Sequence, residues 1–400
     1  MNTCLAVQRI LKPRDMKYMN RDDVNLTLFF TKGVGLKTWA EIGSLDREVA
    51  IYKRLTEHLN SVSFVTYGGH SDLQYGRSLA KIQVAPLIWH RLTHVTILNL
   101  LFRHWHVIRN ATIFKTNQIQ GAEIPIWLKK IFKKKLIVRC GWLWSLNLEK
   151  QTDDARAIKR ARLMEKNAFE SADLVVVTTP YIRQQIIDKY NISPDSVSII
   201  PNYVDTDSFL PDLTKNKSDS SVWKICFVGR HSPEKNIISL LRAIHLCRDK
   251  VSKPIHLDLY GSGPQTSDMK HIIDDLRLDV SFYGNIPNSQ LPSKLTNADI
   301  FILPSFYEGH PKSLLEAMSC GLPCIGTDVR GIKELICHKV TGYLCNTDDK
   351  SIAGAIKEVF SDENLRTAMG RNARKYMVEN FSLEKVLKME LDVIQKVINM

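Results

Sequence analysis

Asp299-Ile300-Phe301-Ile302-Leu303-Pro304-Ser305 is an apolar run ending in a proline break, and Glu308-Gly309-His310-Pro311-Lys312-Ser313-Leu314-Leu315-Glu316 follows it closely. Ala317-Met318-Ser319-Cys320-Gly321-Leu322-Pro323 then closes a helix at glycine. A short apolar run bounded by turn residues reads as a strand buried on both faces, as in parallel sheets. Pro311 suits a first helical turn and Gly321 a helix end, so Glu308 falls in the loop at a strand's carboxyl end and Glu316 within a helix. In an open parallel α/β sheet, ligands bind at that edge. N–H groups at a helix start suit phosphate or sugar oxygens, and two acceptor-only carboxylates suit the hydroxyls of a sugar or ribose. The spacing points to a nucleotide sugar.

The same alternation extends outward through the second half. Strands are expected at Lys224–Val228, Ile255–Tyr260, Val280–Tyr283, Cys324–Thr327 and Gly342–Leu344, with helices at Pro233–Cys247, near Met269–Leu276 and near Gln290–Asn297. Gly229-Arg230-His231-Ser232-Pro233-Glu234-Lys235 follows the first of these strands, with Ser232 as a cap and Pro233 in the first helical position. Arg230 and Lys235 then stand near the ligand edge, where a diphosphate needs fixed and flexible cations beside a helix N-terminus. Tyr260-Gly261-Ser262-Gly263-Pro264 and Tyr283-Gly284-Asn285-Ile286-Pro287 are further glycine turns at strand ends. Each alone is weak, and a helix start with surface cations is the plain alternative. Four such loops on one edge carry far more weight.

The first half repeats the pattern. Strands are expected at Leu26–Phe30, Ser63–Tyr67, Ala111–Asn117, Leu136–Cys140 and Leu174–Thr178, with helices over Leu45–Leu59, Asp153–Phe169 and Tyr181–Tyr190. Residues 84–109 are apolar but interrupted by His90, Arg91, His94, Arg103 and His106, and read as a buried helical stretch in preference to a membrane-dipping one. A Pro- and Asn-bearing segment, Ser196–Asp205, joins the halves, and the polar Lys215–Ser221 stretch marks the boundary. Repeated strand–helix alternation in both halves implies two doubly wound α/β domains facing each other across a cleft.

Composition and charge narrow the class. At 44% hydrophobic and 24% charged, the 400-residue chain is ordinary for a globular protein of two or three domains. Its eight cysteines form no metal-ligand pattern and read as buried thiols in a reducing compartment. The apolar runs of the first 24 residues are too short for a signal-peptide core, and no stretch approaches the ~20 apolar residues of a spanning helix, so a soluble or peripheral protein is expected. Residues 1–200 hold 30 Lys and Arg against 17 Asp and Glu, whereas residues 201–400 hold 25 of each. The excess concentrates in Lys129-Lys130-Ile131-Phe132-Lys133-Lys134-Lys135, either a solvated basic face or a contact for an anionic membrane or acceptor. No nucleic-acid-reading motif accompanies it, so nucleic acid is not an expected partner.

Taken together, Ile200-Pro201-Asn202-Tyr203-Val204-Asp205, Phe227-Val228-Gly229-Arg230 with Lys235, Tyr260–Pro264, Glu308 to Met318, Gly321-Leu322-Pro323, Gly331-Ile332-Lys333-Glu334 and Gly342-Tyr343-Leu344 resemble, in order, the donor domain of the retaining family 4 glycosyltransferases. These signatures cover nearly all of residues 196–345. The resemblance implies the α/β GT-B fold, two facing Rossmann-like domains. After a basic extension (1–24), it implies an acceptor-side domain (25–203), a nucleotide-sugar donor domain (204–384) and a last helix (385–400) returning to the first domain.

The resemblance also implies roles. Arg230 and Lys235 would neutralise the donor diphosphate, and Glu308 would bind donor-sugar hydroxyls and count with those cations as catalytic. Backbone N–H groups from Gly309, His310, Pro311, Lys312 and Ser313 (proline lacking one) would face sugar and phosphate oxygens, and Glu316 the ribose. Gly229, Gly261 and Gly263 would let backbone approach the donor, and Asn285 and Ile286 would border the base. Gly33 and Gly35 resemble the family's phosphate-side glycine loop. No cofactor or metal is implied beyond the donor itself. Where many members carry a histidine in the first domain, this chain reads Val138-Arg139-Cys140-Gly141-Trp142. Asn117, Arg139 and Trp142 are the acceptor-side candidates, with a structural cation and core filling as the alternatives for Arg139 and Trp142.

The expected activity is transfer of a sugar from a nucleoside-diphosphate donor to an acceptor hydroxyl in cell-surface polysaccharide or lipid-linked glycan synthesis, in the cytoplasm or at its membrane face. The competing activities are a sugar phosphorylase, a nucleotide-sugar epimerase, and a non-catalytic nucleotide-sugar-binding protein.

Overall fold

The computed structural model describes residues 23–79, 81–88, 93–212 and 220–400. Most of the basic extension (1–24) and of the Lys215–Ser221 boundary, with His90 and Arg91, lies outside them. The chain divides into two compact units. One holds Asn202–Lys385, and the other holds residues up to Pro201 together with Val386–Met400.

The second of these units contains a seven-stranded sheet: β1 (Asn25–Phe29), β2 (Ser61–Thr66), β3 (Ile82–Pro86), β4 (Ile113–Thr116), β5 (Lys135–Cys140), β6 (Leu174–Val177) and β7 (Val197–Ile199). The order is β3-β2-β1-β4-β5-β6-β7, and each neighbouring pair is parallel. Phe64, Phe114, Ile137 and Val176 are fully buried, as a sheet covered on both faces requires. The C-terminal helix Leu383–Ile398 places Glu390 in this unit, where its carboxylate accepts from Lys115 on β4 at 2.6 Å and faces Arg139 on β5 at 3.6 Å. Burial pulls the Lys115 ammonium below its ordinary range, and Glu390 opposes that shift.

The unit Asn202–Lys385 contains a six-stranded sheet: β8 (Trp223–Val228), β9 (Ile255–Tyr260), β10 (Asp279–Gly284), β11 (Ile300–Leu303), β12 (Cys324–Thr327) and β13 (Tyr343–Cys345). Its order is β10-β9-β8-β11-β12-β13, again parallel throughout. Both sheets are doubly wound, as the alternation of the sequence predicts. In each, the order reverses once, between β1 and β4 and between β8 and β11, and such a reversal opens a crevice at the strands' carboxyl ends.

Three local expectations change. The stretch 84–109 is the end of strand β3 followed by helix Thr93–Asn110, and that helix is amphipathic rather than buried. Ile97, Leu100, Val107 and Ile108 face inward, while Leu98 and Phe102 are 67% and 91% exposed. The helix expected over Pro233–Cys247 is a single 3-10 turn, Pro233–Lys235, followed by helix Ile237–Cys247. Asn236 separates them in a left-handed conformation (φ 55°), held by its side-chain amide donating to Pro304 O at 3.0 Å and Thr347 O at 2.8 Å. The long helix therefore begins beyond Lys235. The basic run also divides, because Lys129 Nζ is bound to Asp173 at 2.7 Å and to Ser171 O at 2.8 Å, whereas Lys130 and Lys133 are exposed.

Candidate nucleotide-sugar site

The loops after β8, β9 and β10 are joined by backbone hydrogen bonds. Gly229 N donates to Tyr260 O at 3.0 Å, His231 N to Ser262 O at 3.1 Å, and Gly261 N to Gly284 O at 2.7 Å. The approach is close enough to demand glycine. A Cβ on Gly261 (φ +124°) would stand 2.0 Å from Gly229 O, and one on Gly263 would stand 2.3 Å from His231 O. The spacing of these glycines thus answers first to loop-on-loop packing.

His231 is buried beneath these loops, and its Nδ1 lies 2.9 Å from Thr266 Oγ1. Thr266 donates its hydroxyl proton to Gly263 O at 2.8 Å, so its oxygen accepts from His231 Nδ1–H. Desolvation holds the imidazole pKa below its ordinary value.

At the reversal between β8 and β11 the two charged loops meet. Lys235 Nζ donates to Glu308 Oε1 at 2.6 Å, and Ser305 Oγ donates to the same oxygen at 2.7 Å. Phe306 N donates to Glu234 O at 2.9 Å and Thr327 Oγ1 to Ser305 O at 2.5 Å, so the loop after β11 is tied to the loop after β8 and to the end of β12. Gly331 (φ +81°) lies against it, since a Cβ there would be 2.4 Å from Gly309 O and 2.6 Å from Glu308 O. The side chains of Lys235 and Glu308 are 20% and 10% exposed, a pair screened from bulk water yet reachable. Arg230 is exposed on the loop after β8.

Glu316 lies in helix Lys312–Ser319, with Pro311 as its N-cap, and is 1% exposed. Asn288, from the loop after β10, donates its amide to Glu316 Oε1 at 2.8 Å. His310 is buried, its ring centroid 5.5 Å from that of Phe381 and its carbonyl accepting from Asn202 Nδ2 at 2.7 Å. Lys312, Ser313 and Ile286 are half-buried, and Asn285 is exposed, 3.3 Å from Ser262 Oγ. Sequence reasoning missed Ser305 and Asn288, which orient the two carboxylates. Ser305 is only a strand-end serine and Asn288 only a turn residue after Pro287, so neither offered a periodic signal.

In the other unit, Gly33-Val34-Gly35 follows β1. Gly33 has φ +79°, and a Cβ on Gly35 would meet Gly68 Cα at 2.6 Å. The buried carboxylate of Asp72 accepts from Lys37 N at 3.0 Å and Gly68 N at 3.1 Å, fixing this turn against the end of β2. Asn117 N donates to Phe29 O at 2.8 Å, so Asn117 stands at the β1–β4 reversal. Arg139 is largely buried beside Glu390, and Trp142 is half-buried.

Two family descriptions match this chain in tandem: Glycosyltransferase Family 4 over residues 50–208 and Glycosyl transferases group 1 over residues 211–376. The chain belongs to the family 4, group 1 glycosyltransferases. An uncharacterized glycosyltransferase of Methanocaldococcus jannaschii is 29% identical over 275 residues, 64% of this chain and 66% of that protein. The Escherichia coli UDP-Gal:α-D-GlcNAc-diphosphoundecaprenol α-1,3-galactosyltransferase is 29% identical over 211 residues, 50% of this chain and 54% of that protein. The chain thus spans from just over half to about two thirds of the length of these relatives. Anabaena HepE, solved in complex with UDP-glucose, shares the fold with a TM-score of 0.75 at 15% identity, covering 93% of this chain and 99% of HepE.

Proposed function

We propose that this family member is a retaining, hexosyltransferase-like enzyme that moves a sugar from a nucleoside-diphosphate donor to an acceptor hydroxyl without a metal ion. The observation behind it is the Lys235–Glu308 pair at the β8–β11 reversal, flanked by exposed Arg230 and by Glu316 in the following helix.

Arg230 and Lys235 take the diphosphate, and their charge stabilises the leaving nucleotide as the glycosidic bond breaks. Backbone N–H groups of Gly309 and His310 and of Lys312 and Ser313 meet donor oxygens. Glu308 accepts from donor-sugar hydroxyls, and Glu316, held by Asn288, accepts from the ribose. Asn285 and Ile286 border the base. The acceptor hydroxyl attacks the face from which the nucleotide departs, so the anomeric configuration is kept. Residues 204–384 carry the donor and residues 25–203 the acceptor, with Asn117, Arg139 and Trp142 on the acceptor side and Gly33 and Gly35 keeping the donor-phosphate role that the resemblance gives them.

A uridine diphosphate donor and a lipid-linked or polysaccharide acceptor fit best, because the galactosyltransferase relative is named for UDP-Gal and a diphosphoundecaprenol acceptor and HepE was solved with UDP-glucose. The reaction is placed on the cytoplasmic side, with peripheral contact between the basic 129–135 segment and an anionic membrane. Among the described residues seven cysteines are free, in keeping with a reducing compartment, and no helix is long and apolar enough to cross a membrane.

Incubation with uridine-, guanosine- and adenosine-diphosphate sugars in EDTA, with lipid-linked and oligosaccharide acceptors, tests the proposal. Nucleoside diphosphate release together with a product of unchanged anomeric configuration supports it. An inverted product, or a sugar phosphate formed only with inorganic phosphate, overturns it.

A further inference from the structure

Helix Thr93–Asn110 contains no Asp or Glu, and its outward side carries an apolar stripe among the exposed polar residues Thr93, His94, Arg103 and His106. Val95, Leu98 and Phe102 fall within roughly 60° of one another around the helix. They are 44%, 67% and 91% exposed, and Trp105, 40% exposed, continues beyond a kink at His104 (φ −127°, ψ 31°). Trp105 packs edge-on against Phe132 at 5.7 Å, joining this helix to Glu123–Phe132, which exposes Trp127 and Ile131. Isolated exposed apolar residues are normal, but six on two touching helices are not. Around them lie exposed cations: Arg103, Arg109, Lys130 and Lys133.

We propose that this double-helix face seats the protein on an anionic lipid bilayer, with Leu98, Phe102 and Trp105 entering the headgroup–acyl boundary and the cations meeting lipid phosphates. It deepens the peripheral-membrane reading above and rests on it, replacing purely electrostatic attraction with apolar insertion. Aromatic and leucine side chains on one face of a helix edged by Lys and Arg have the composition of interfacial helices. A protein partner fits less well, because lysine is depleted at protein interfaces and the cations here lie beside the apolar stripe. The lysine content also matches the location of the chain's entire basic excess in residues 1–200.

Flotation of the full chain with vesicles of phosphatidylcholine alone, or of phosphatidylcholine mixed with phosphatidylglycerol, tests the proposal. The wild type should float with the mixed vesicles only, and Leu98→Asp with Phe102→Asp should weaken binding by about tenfold or more. Lys130→Glu with Lys133→Glu should do likewise, at roughly fivefold per charge removed. Both positions in the first pair are exposed, and an unchanged thermal midpoint confirms folding of each variant. Salt-sensitive binding that the Leu98/Phe102 variant retains in full would leave the electrostatic reading standing and overturn insertion. A wild type that floats with neither vesicle overturns both. A wild-type dimer that the same variant converts to monomer would assign this face to self-association and overturn the proposal.

Discussion

Lys235 and Glu308 come from loops that leave adjacent parallel strands for opposite sides of the sheet, and they meet at 2.6 Å where the strand order reverses. The contact holds a cation and a carboxylate at the edge where open α/β sheets take ligands. Ser305 donates to the same carboxylate oxygen, so Glu308 is held from its own loop as well as from the one across the reversal.

Lys235→Ala and Glu308→Gln should each lower kcat/KM by about 10²–10³-fold, as loss of a preorganised charge-stabilising group does. Because the two side chains touch, the double variant should lose less than the product of the single effects. Steady-state kinetics of the four-member cycle checks this, and strict additivity would mean that they act independently. Arg230→Ala should cost about 2–4 kcal/mol of transition-state stabilisation by the same measurement.

Asn288→Ala removes a hydrogen bond to a buried carboxylate, an interaction worth roughly 1.5–3 kcal/mol. It should raise the donor KM while leaving kcat nearly unchanged, and Glu316→Ala should do the same more strongly. If either variant instead lowered kcat at constant KM, the ribose role of Glu316 would be wrong.

Much of this arrangement was legible in the chain because strand, glycine turn and helix start recur in a fixed rhythm, which gives the doubly wound class and the ligand edge. The partners of the charged groups were not legible. Lys115 and Glu390 are 275 residues apart, and only the folded sheet brings them together. Residues 84–109 misled because hydropathy alone does not distinguish β3 and an amphipathic helix from one buried helix. Pro233 signalled a helix start correctly for one turn, and the side chain of Asn236, bonded to two distant carbonyls, interrupted it.

Glu390→Gln should destabilise the unit containing β4 by about 3–5 kcal/mol, because it leaves the Lys115 ammonium buried beside Arg139 without a countercharge. Urea unfolding measures the loss. A change within experimental scatter would show that Lys115 is neutral in the fold.

Gly261→Ala should also destabilise, since φ +124° and a Cβ 2.0 Å from Gly229 O leave the side chain no room. The β8, β9 and β10 loops would separate, so donor affinity should fall along with the thermal midpoint. Retention of both would contradict the described loop packing.

The His231 imidazole has a folded-state pKa below its ordinary 6.5 because of burial. The unfolded state therefore takes up the proton first. The stability His231 contributes is present above about pH 6.5 and declines as pH falls below it. His231→Asn keeps a donor to Thr266 without the titration, so its unfolding free energy should vary less with pH between about 7 and 5. His104 and His338 are shifted in the same direction and keep part of the slope. An identical pH profile in the variant would exclude His231 as a source.

If Arg230, Lys235, Glu308 and Glu316 form a nucleotide-sugar site, a bound nucleotide must raise the thermal midpoint, and the rise must depend on Glu316. The most direct test is the thermal midpoint of wild type and Glu316→Ala against UDP, GDP, ADP and their sugars, in EDTA. A ligand at a hundred times its Kd stabilises the native state by about 2.7 kcal/mol, enough for a clear upward shift. One nucleotide series should raise the wild-type midpoint, and Glu316→Ala should lose most of that rise. No shift with any nucleotide, or one that survives intact in Glu316→Ala, would exclude a nucleotide-sugar site at these four residues.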